Sequence, residues 1–344
     1  MTEYSDEQIG RDDLATSGDY EAVILMQSGE VRNAATNAYA REYNHELMSD
    51  PMYWDEYGTT GNKINEGDER WWEVWKQFSW IPDLFEPLST IPNPDKSGEL
   101  AASVQEVAGG GELDMPDQNG EQPPANYEAT GGALGERAMD GHANILTAVT
   151  DWRSVAANDF RNNFCKDIPS TLRNQIMLAK ILRATAIANQ GLLLAARKDS
   201  QELARKAKET LDAYNPAGNS PEVNTGFAVA GAVLTIAAGI ATGVGGVVSA
   251  GALTALAGIS SAESLAGTKS DPMGLGGDSV EAITGKIFDG VSKILTELRD
   301  GEDTLINQVL MPNSNVTWEH NDMFVVSRPT LIGAPKGDFQ PPPA

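Results

Sequence analysis

Cysteine is nearly missing: Cys165 stands alone in 344 residues, which rules out an intramolecular disulfide and leaves packing to hold the fold. Histidine is scarce as well. His45, His142 and His320 lie far apart, and His45-Glu46 lacks the second His of a zinc-binding helix. Basic residues are few, 25 Lys and Arg against 49 Asp and Glu, for a net charge of −24. That balance argues against nucleic acid, whose phosphates need clustered Lys and Arg. It argues against ordinary docking on anionic lipid for the same reason, while keeping the chain soluble. The opening MTEYSDEQIGRDD has no basic stretch followed by an apolar one, so no Sec-type signal peptide is expected.

Catalytic and metal-binding patterns are missing too. Asp117-Gln118-Asn119-Gly120 and Asn93-Pro94-Asp95-Lys96-Ser97-Gly98 resemble parts of calcium loops but lack the closing acidic residue. There is no phosphate-binding Gly-x-x-x-x-Gly-Lys loop and no Gly-x-Ser-x-Gly nucleophile elbow. Cys165, in an apolar helical stripe beside Phe164, reads as a packing residue. The expectation is a protein with no catalytic residues, metal or cofactor.

What is present is helical periodicity. Residues 1–20 are acidic and poor in apolar side chains, and are expected to be disordered. Residues 21–85 form an N-terminal helical segment, with one helix over about 20–48. It also holds a tryptophan cluster in which Trp71, Trp75 and Phe78 share a helical face, with Trp72 beside them. Ile81-Pro82 is expected to stop the cluster's helix. The cluster reads first as the face that docks a small N-terminal subdomain onto the helical bundle, and second as an interaction patch of Trp71, Trp72, Trp75 and Phe78. Residues 86–132, dense in Pro and Gly, read as a linker or mobile insertion, with at most a short helix near 100–107.

From residue 133 the pattern sharpens. Leu134, Ala138, Ile145, Leu146 and Val149 mark one helix. Ala156, Phe160, Phe164, Ile168, Leu172, Ile176, Ala179, Leu182 and Ala186 mark a second at spacings of three and four. Leu193, Ala196, Leu203, Ala207 and Leu211 extend the stripe to Tyr214, and Asp167-Ile168-Pro169 marks a restart with Pro169 in a first turn. Residues 222–266 are rich in Ala and Gly and almost uncharged, with Gly239 and Gly243 placed for close helix packing in an apolar hairpin. Residues 278–310 form a further amphipathic helix along Val280, Ile283, Ile287, Val291, Ile294, Leu295 and Leu298. Residues 327–344 form a Pro-rich, extended tail. The predicted fold is therefore mainly α: an antiparallel helical hairpin or bundle, with an Ala/Gly-rich apolar hairpin and flexible termini.

Between the two central helices lies Asp151-Trp152-Arg153-Ser154-Val155-Ala156-Ala157-Asn158-Asp159-Phe160. A tight reversal needs a bulky side chain to plug it and small ones beside it. Trp152 supplies the first, Ala156 and Ala157 the second; Ser154 is placed to cap the next helix, and Phe160 returns to the interface one turn later. This pattern resembles the WXG family of helical proteins exported by type VII (ESX) secretion. Trp152 matches the family Trp, Ser154 stands where its Gly belongs, and Ala156, Ala157 and Phe160 match the residues that follow. The likeness covers residues 133–214. The family's Tyr-x-x-x-Asp/Glu export signal is not matched, since Tyr214 is followed by Gly218.

The resemblance implies a non-catalytic secretion substrate or secretion-associated structural protein. It implies helix-mediated assembly with itself, as a homo-oligomer, or with a WXG-like helical partner, a secretion ATPase as a further partner, and a location outside the cell or at its surface. Residence in the cytoplasm is the alternative location. The alternative function is a membrane-active effector that inserts residues 226–260, since about 20 apolar residues suffice for one crossing.

Overall fold

The computed structural model describes residues 15–49, 63–108, 133–218, 224–225, 232, 273–319, 321 and 324–325. The expectations for residues 1–14, for most of 222–266 (Gly239 and Gly243 included) and for 327–344 lie outside the described residues. The fold is mainly helical, as periodicity predicts. Among the described residues, the sole strand pairing is a two-residue antiparallel ladder of β1 (Asn224–Thr225) and β2 (Met273–Gly274), in which Asn224 faces Gly274.

The chain divides into two compact units. The first comprises Met1–Asp95, Gln190–Thr235 and Ser261–Glu302. Its helix α1 (Tyr20–Ser49) buries Tyr20, Val23, Ile24, Gln27, Val31, Ala34, Ala35 and Ala38. These positions recur at the three-and-four spacing of one helical face. Helix α2 (Glu69–Gln77) starts where Gly67, at φ +84°, turns the chain and Asp68 caps it; Asp68 Oδ1 accepts from Trp71 N–H at 2.8 Å. Helix α3 (Trp80–Ser89) follows. Contrary to the sequence expectation, Pro82 therefore does not stop a helix. It sits in the first turn of α3, where a missing N–H costs nothing.

Tyr20 Oη donates to the Leu88 carbonyl at 3.1 Å, tying α1 to the end of α3. A second tie comes from the C-terminal part of α7 (Ile168–Ala213). Arg197 is buried and spends its guanidinium on main-chain carbonyls, Nη2 to Ile91 at 2.8 Å and Nη1 to Ala15 at 2.9 Å. Its guanidinium carbon lies 4.2 Å from the Tyr20 ring centroid. A buried cation is tolerated when its donors are all met and an aromatic face lies beside it. Helix α8 (Val280–Leu305) is capped by Ser279, whose Oγ accepts from Ala282 N–H at 3.1 Å. It buries Val280, Ile283, Ile287, Val291, Ile294 and Leu298, as its stripe foretold, with Gly290 held against Leu203 of α7.

The second unit comprises Lys96–Asn189, Ile236–Ser260 and Asp303–Ala344. It holds α4 (Asp95–Ala108) from Lys96 onward, α5 (Ala133–Ala148), α6 (Val155–Asp159), a π-helical turn Phe160–Cys165 and the first part of α7. A second π-helical turn, Ile306–Leu310, leads into α9 (Met311–Glu319). Ala101 of α4 packs on Ala186 and Ile187 of α7, and Asn189 Nδ2 donates to Ser97 Oγ at 2.8 Å.

Two sequence boundaries shift. The linker expected over 86–132 does not hold for its first part, where α3 runs to Ser89 and α4 occupies Asp95–Ala108; residues 109–132 lie outside the described residues. The hairpin expected over 133–214 is also shorter than that. Its second arm, α7, is 46 residues long against 16 for α5, and from Gln190 onward α7 belongs to the first unit.

Candidate functional site

The reversal around residue 152 lies in the second unit, and its local bonds explain its shape. Helix α5 closes with Val149 N–H on the Ile145 carbonyl, and Trp152 N–H bonds the Val149 carbonyl at 3.1 Å. Ser154 then caps the next helix, its Oγ accepting from Ala157 N–H at 3.0 Å. Arg161 Nη1 donates back to the Thr150 carbonyl at 2.9 Å. His142 Nε2 lies 2.9 Å from the Cys165 carbonyl, so this ring nitrogen is the donor. A Cβ added to Gly135 would meet Ile176 Cδ1 at 3.0 Å. Residues 150, 142 and 135 thus face 161, 165 and 176 in turn, which is an antiparallel hairpin. Glycine at 135 leaves room for the Ile176 side chain.

The aromatic side chains form a ladder on this hairpin. The Trp152 and Phe160 ring centroids are 6.2 Å apart, and Phe160 stacks on Phe164 at 5.1 Å. The π-helical turn over Phe160–Cys165 sets that register; such wide turns are rare in helices. Ala157 is buried beside it; the side chain of Ala156 lies outside the described residues.

Trp152 does not plug the reversal. Its side chain is 53% exposed, so the expectation of a buried indole locking the helix pair is corrected: the indole caps the ladder from outside. The apolar seam of α5 is corrected in the same way. Of its members, Val149 is buried, while Leu134, Ile145 and Leu146 are exposed at 45%, 41% and 38%. Leu182 of α7 is exposed as well. Periodicity grouped these side chains as packing positions, but among the described residues nothing covers them.

The tryptophan cluster of the first unit behaves in the opposite way. Trp71 is buried with Ala40, Ile64 and Val74, and Tyr39, Tyr43, Trp75 and Phe78 pack around them. Trp71 Nε1 donates to Asn37 Oδ1 at 2.7 Å and Trp75 Nε1 to Asn33 Oδ1 at 2.8 Å. The Arg32 guanidinium lies 3.1 Å from the Trp75 ring centroid. These contacts dock α2 on α1 within the N-terminal segment itself, not that segment onto the 133–214 hairpin. As an interaction patch, Trp71, Trp75 and Phe78 are withdrawn, since each is engaged within the unit. Trp72 alone of the four is exposed.

Cys165 is buried, and burial pushes its thiol above the ordinary range, which suits a packing residue better than a nucleophile. Among the described residues, no three His, Cys, Asp or Glu side chains are grouped to hold a metal ion. No described helix is long and apolar enough to cross a membrane; residues 226–260, apart from Ala232, lie outside those described. Comparison with protein-family models, curated proteins and solved structures gives no match.

Proposed function

We propose that this chain is a non-catalytic, secretion-associated component of a type VII (ESX-like) pathway, acting through assembly of its 133–189 hairpin with a helical partner or another copy. The observation that carries this is the solvent-facing apolar set on the hairpin: Leu134, Ile145, Leu146 and Trp152. Large apolar side chains exposed together on one element are candidates for an interaction site, and tryptophan is enriched where binding energy concentrates. The antiparallel path and the order of Trp152, Ser154, Ala157 and Phe160 at its reversal support the WXG-like assignment.

Charge favours the same surface. The chain as a whole carries 49 acidic residues against 25 basic. Between 133 and 189, however, Arg137, Arg153, Arg161, Lys166, Arg173, Lys180 and Arg183 outnumber Glu136, Asp140, Asp151, Asp159 and Asp167. A helical partner, or the acidic remainder of a second copy, meets less like-charge repulsion here than elsewhere. Export on this proposal uses no signal peptide, and the Tyr-x-x-x-Asp/Glu signal comes from the partner.

The test is quantitative mass spectrometry of culture medium and cell pellet, in host strains with and without the secretion ATPase. The variants are wild type and Leu146→Glu/Trp152→Ala. Wild-type chain in the medium only when the ATPase is intact, with the variant retained in the pellet at normal abundance, is the expected result. Wild-type chain confined to the pellet, or export that ignores the ATPase, would refute the proposal.

A further inference from the structure

The first unit contains a cleft of about 530 Å³ that the hairpin does not touch. Its volume lies within the roughly 300–1,000 Å³ usual for small-molecule sites. Helix α1 contributes Tyr39 and Tyr43, and the end of α2 and start of α3 contribute Phe78 and Trp80. Tyr39 and Phe78 meet edge to face at 6.2 Å, while Trp80 is 38% exposed. Three carboxylates complete the wall, Glu42 and Glu46 from α1 and Glu281 from α8, and no basic side chain lines it.

The carboxylates are not equivalent. Glu42 is fixed from both sides: Tyr214 Oη donates to Oε1 at 2.8 Å and Val280 N–H to Oε2 at 3.4 Å. The side-chain carboxylates of Glu46 and Glu281 have no hydrogen-bond or ion-pair partner among the described residues. Glu42 and Glu46 are one turn apart on α1, about 6 Å along the axis at 1.5 Å per residue. Glu281 belongs to a different helix. Aromatic faces attract cations and repel anions, so rings and carboxylates select the same sign of charge.

We infer that this cleft binds an aliphatic polyamine, its ammonium groups meeting Glu42, Glu46 and Glu281 and its methylene spans lying on the Tyr39, Tyr43, Phe78 and Trp80 rings. A bare divalent ion satisfies the carboxylates but makes no use of the four rings. A single ammonium or guanidinium group leaves the charge of two carboxylates unmatched. Several cationic centres joined by apolar spans match both halves of the wall. This inference is independent of the hairpin, so either can fail without the other.

The test is isothermal titration calorimetry of the full chain with spermidine at constant ionic strength, with magnesium chloride and lysine amide as comparison ligands. Three variants are compared with wild type: Glu46→Gln/Glu281→Gln in the cleft, Trp80→Leu at its edge, and Glu73→Gln/Glu86→Gln on exposed surface outside it. One spermidine per chain is expected. Affinity should fall at least tenfold in the cleft pair and several-fold in Trp80→Leu, and stay unchanged in the surface pair, with magnesium a poor competitor. Equal weakening in the surface pair would expose diffuse attraction to an acidic protein and overturn the inference. So would equal competition by magnesium, tighter binding of lysine amide than of spermidine, or no heat of binding at millimolar spermidine. Melting temperatures check folding; should Trp80→Leu be destabilised, the near-isosteric cleft pair decides.

Discussion

Replacing Trp71 and Trp152 separately with alanine asks which tryptophan holds structure and which is surface. A fully buried Trp removes some 150–250 Å² from water, which at about 25 cal/mol per Å² amounts to roughly 4–6 kcal/mol. An unfolded chain already buries part of that area, and measured Trp-to-Ala losses in cores run at about 3–5 kcal/mol. Trp71 is 6% exposed and donates to Asn37 Oδ1. Trp71→Ala should therefore cost about 3–5 kcal/mol, including the stranded amide oxygen. Trp152 is 53% exposed and has Phe160 as its aromatic neighbour. With under half its area withdrawn from water, Trp152→Ala should cost about 1–2 kcal/mol. Denaturant titration followed by circular dichroism, with calorimetric scans to separate the transitions of the two units, measures both. A Trp152→Ala loss equal to or larger than that of Trp71→Ala would refute the assignment of one ring to the core and the other to solvent.

Two glycines of α8 should respond in opposite directions to alanine. At Gly290 a Cβ would lie 2.9 Å from Leu203 Cδ1 and 3.1 Å from Met273 Cε, so Gly290→Ala should destabilise by about 1–3 kcal/mol through overpacking. At Gly285 a Cβ meets nothing within 4 Å, so Gly285→Ala should stabilise by about 0.5–1 kcal/mol through helix propensity; equal effects in thermal melts would contradict the α7–α8 packing. Acid should loosen α2 through its cap. Backbone N–H bonds from Asn65 and Trp71 hold the Asp68 carboxyl below its ordinary value of 3.8. A depressed folded pKa contributes stability that is complete above the unfolded value and is lost as pH falls through the folded one. Tryptophan fluorescence should report α2 loosening below about pH 4 in wild type and a weaker acid dependence in Asp68→Asn; identical pH profiles would remove Asp68 from the account.

Long periodic segments were legible because many residues vote for one answer. The stripe over 278–310 located α8, and the helix read over about 20–48, ending before Asp50-Pro51, matches α1 to within a few residues. Proline misled. Ile81-Pro82 read as a helix stop, and Pro87, Pro92 and Pro94 as part of a linker, yet Pro82 occupies a first turn and Pro87 lies inside α3. Whether a proline breaks a helix depends on whether its missing N–H was needed, which density of proline does not reveal. The Arg197 clamp was invisible for another reason. It joins residues 106 and 182 positions apart in sequence, and no local pattern encodes such a pairing.

The hairpin shows where periodicity stops being informative. A stripe at three-and-four spacing states that its side chains share a face; it does not state what covers that face. Leu193, Leu203 and Leu211 of α7 continue the stripe begun by Phe160, Ile168 and Leu182, with the same spacing and the same chemistry. The first three are buried, while Leu182 is 39% exposed. The difference lies in neighbours contributed from elsewhere in the chain, which the stripe does not specify. The same holds across the reversal, where Ile145 and Leu146 were read as seam residues and stand exposed. Burial of these positions requires a second surface, and within the described residues the hairpin has none. The polyamine cleft is the converse case. Glu42, Phe78 and Glu281 carry no shared sequence pattern, and folding alone makes them neighbours. A face visible in the sequence but uncovered in the fold, and a cleft visible in the fold but absent from the sequence, point outward to ligands of different chemistry, and both await the binding measurements that separate them.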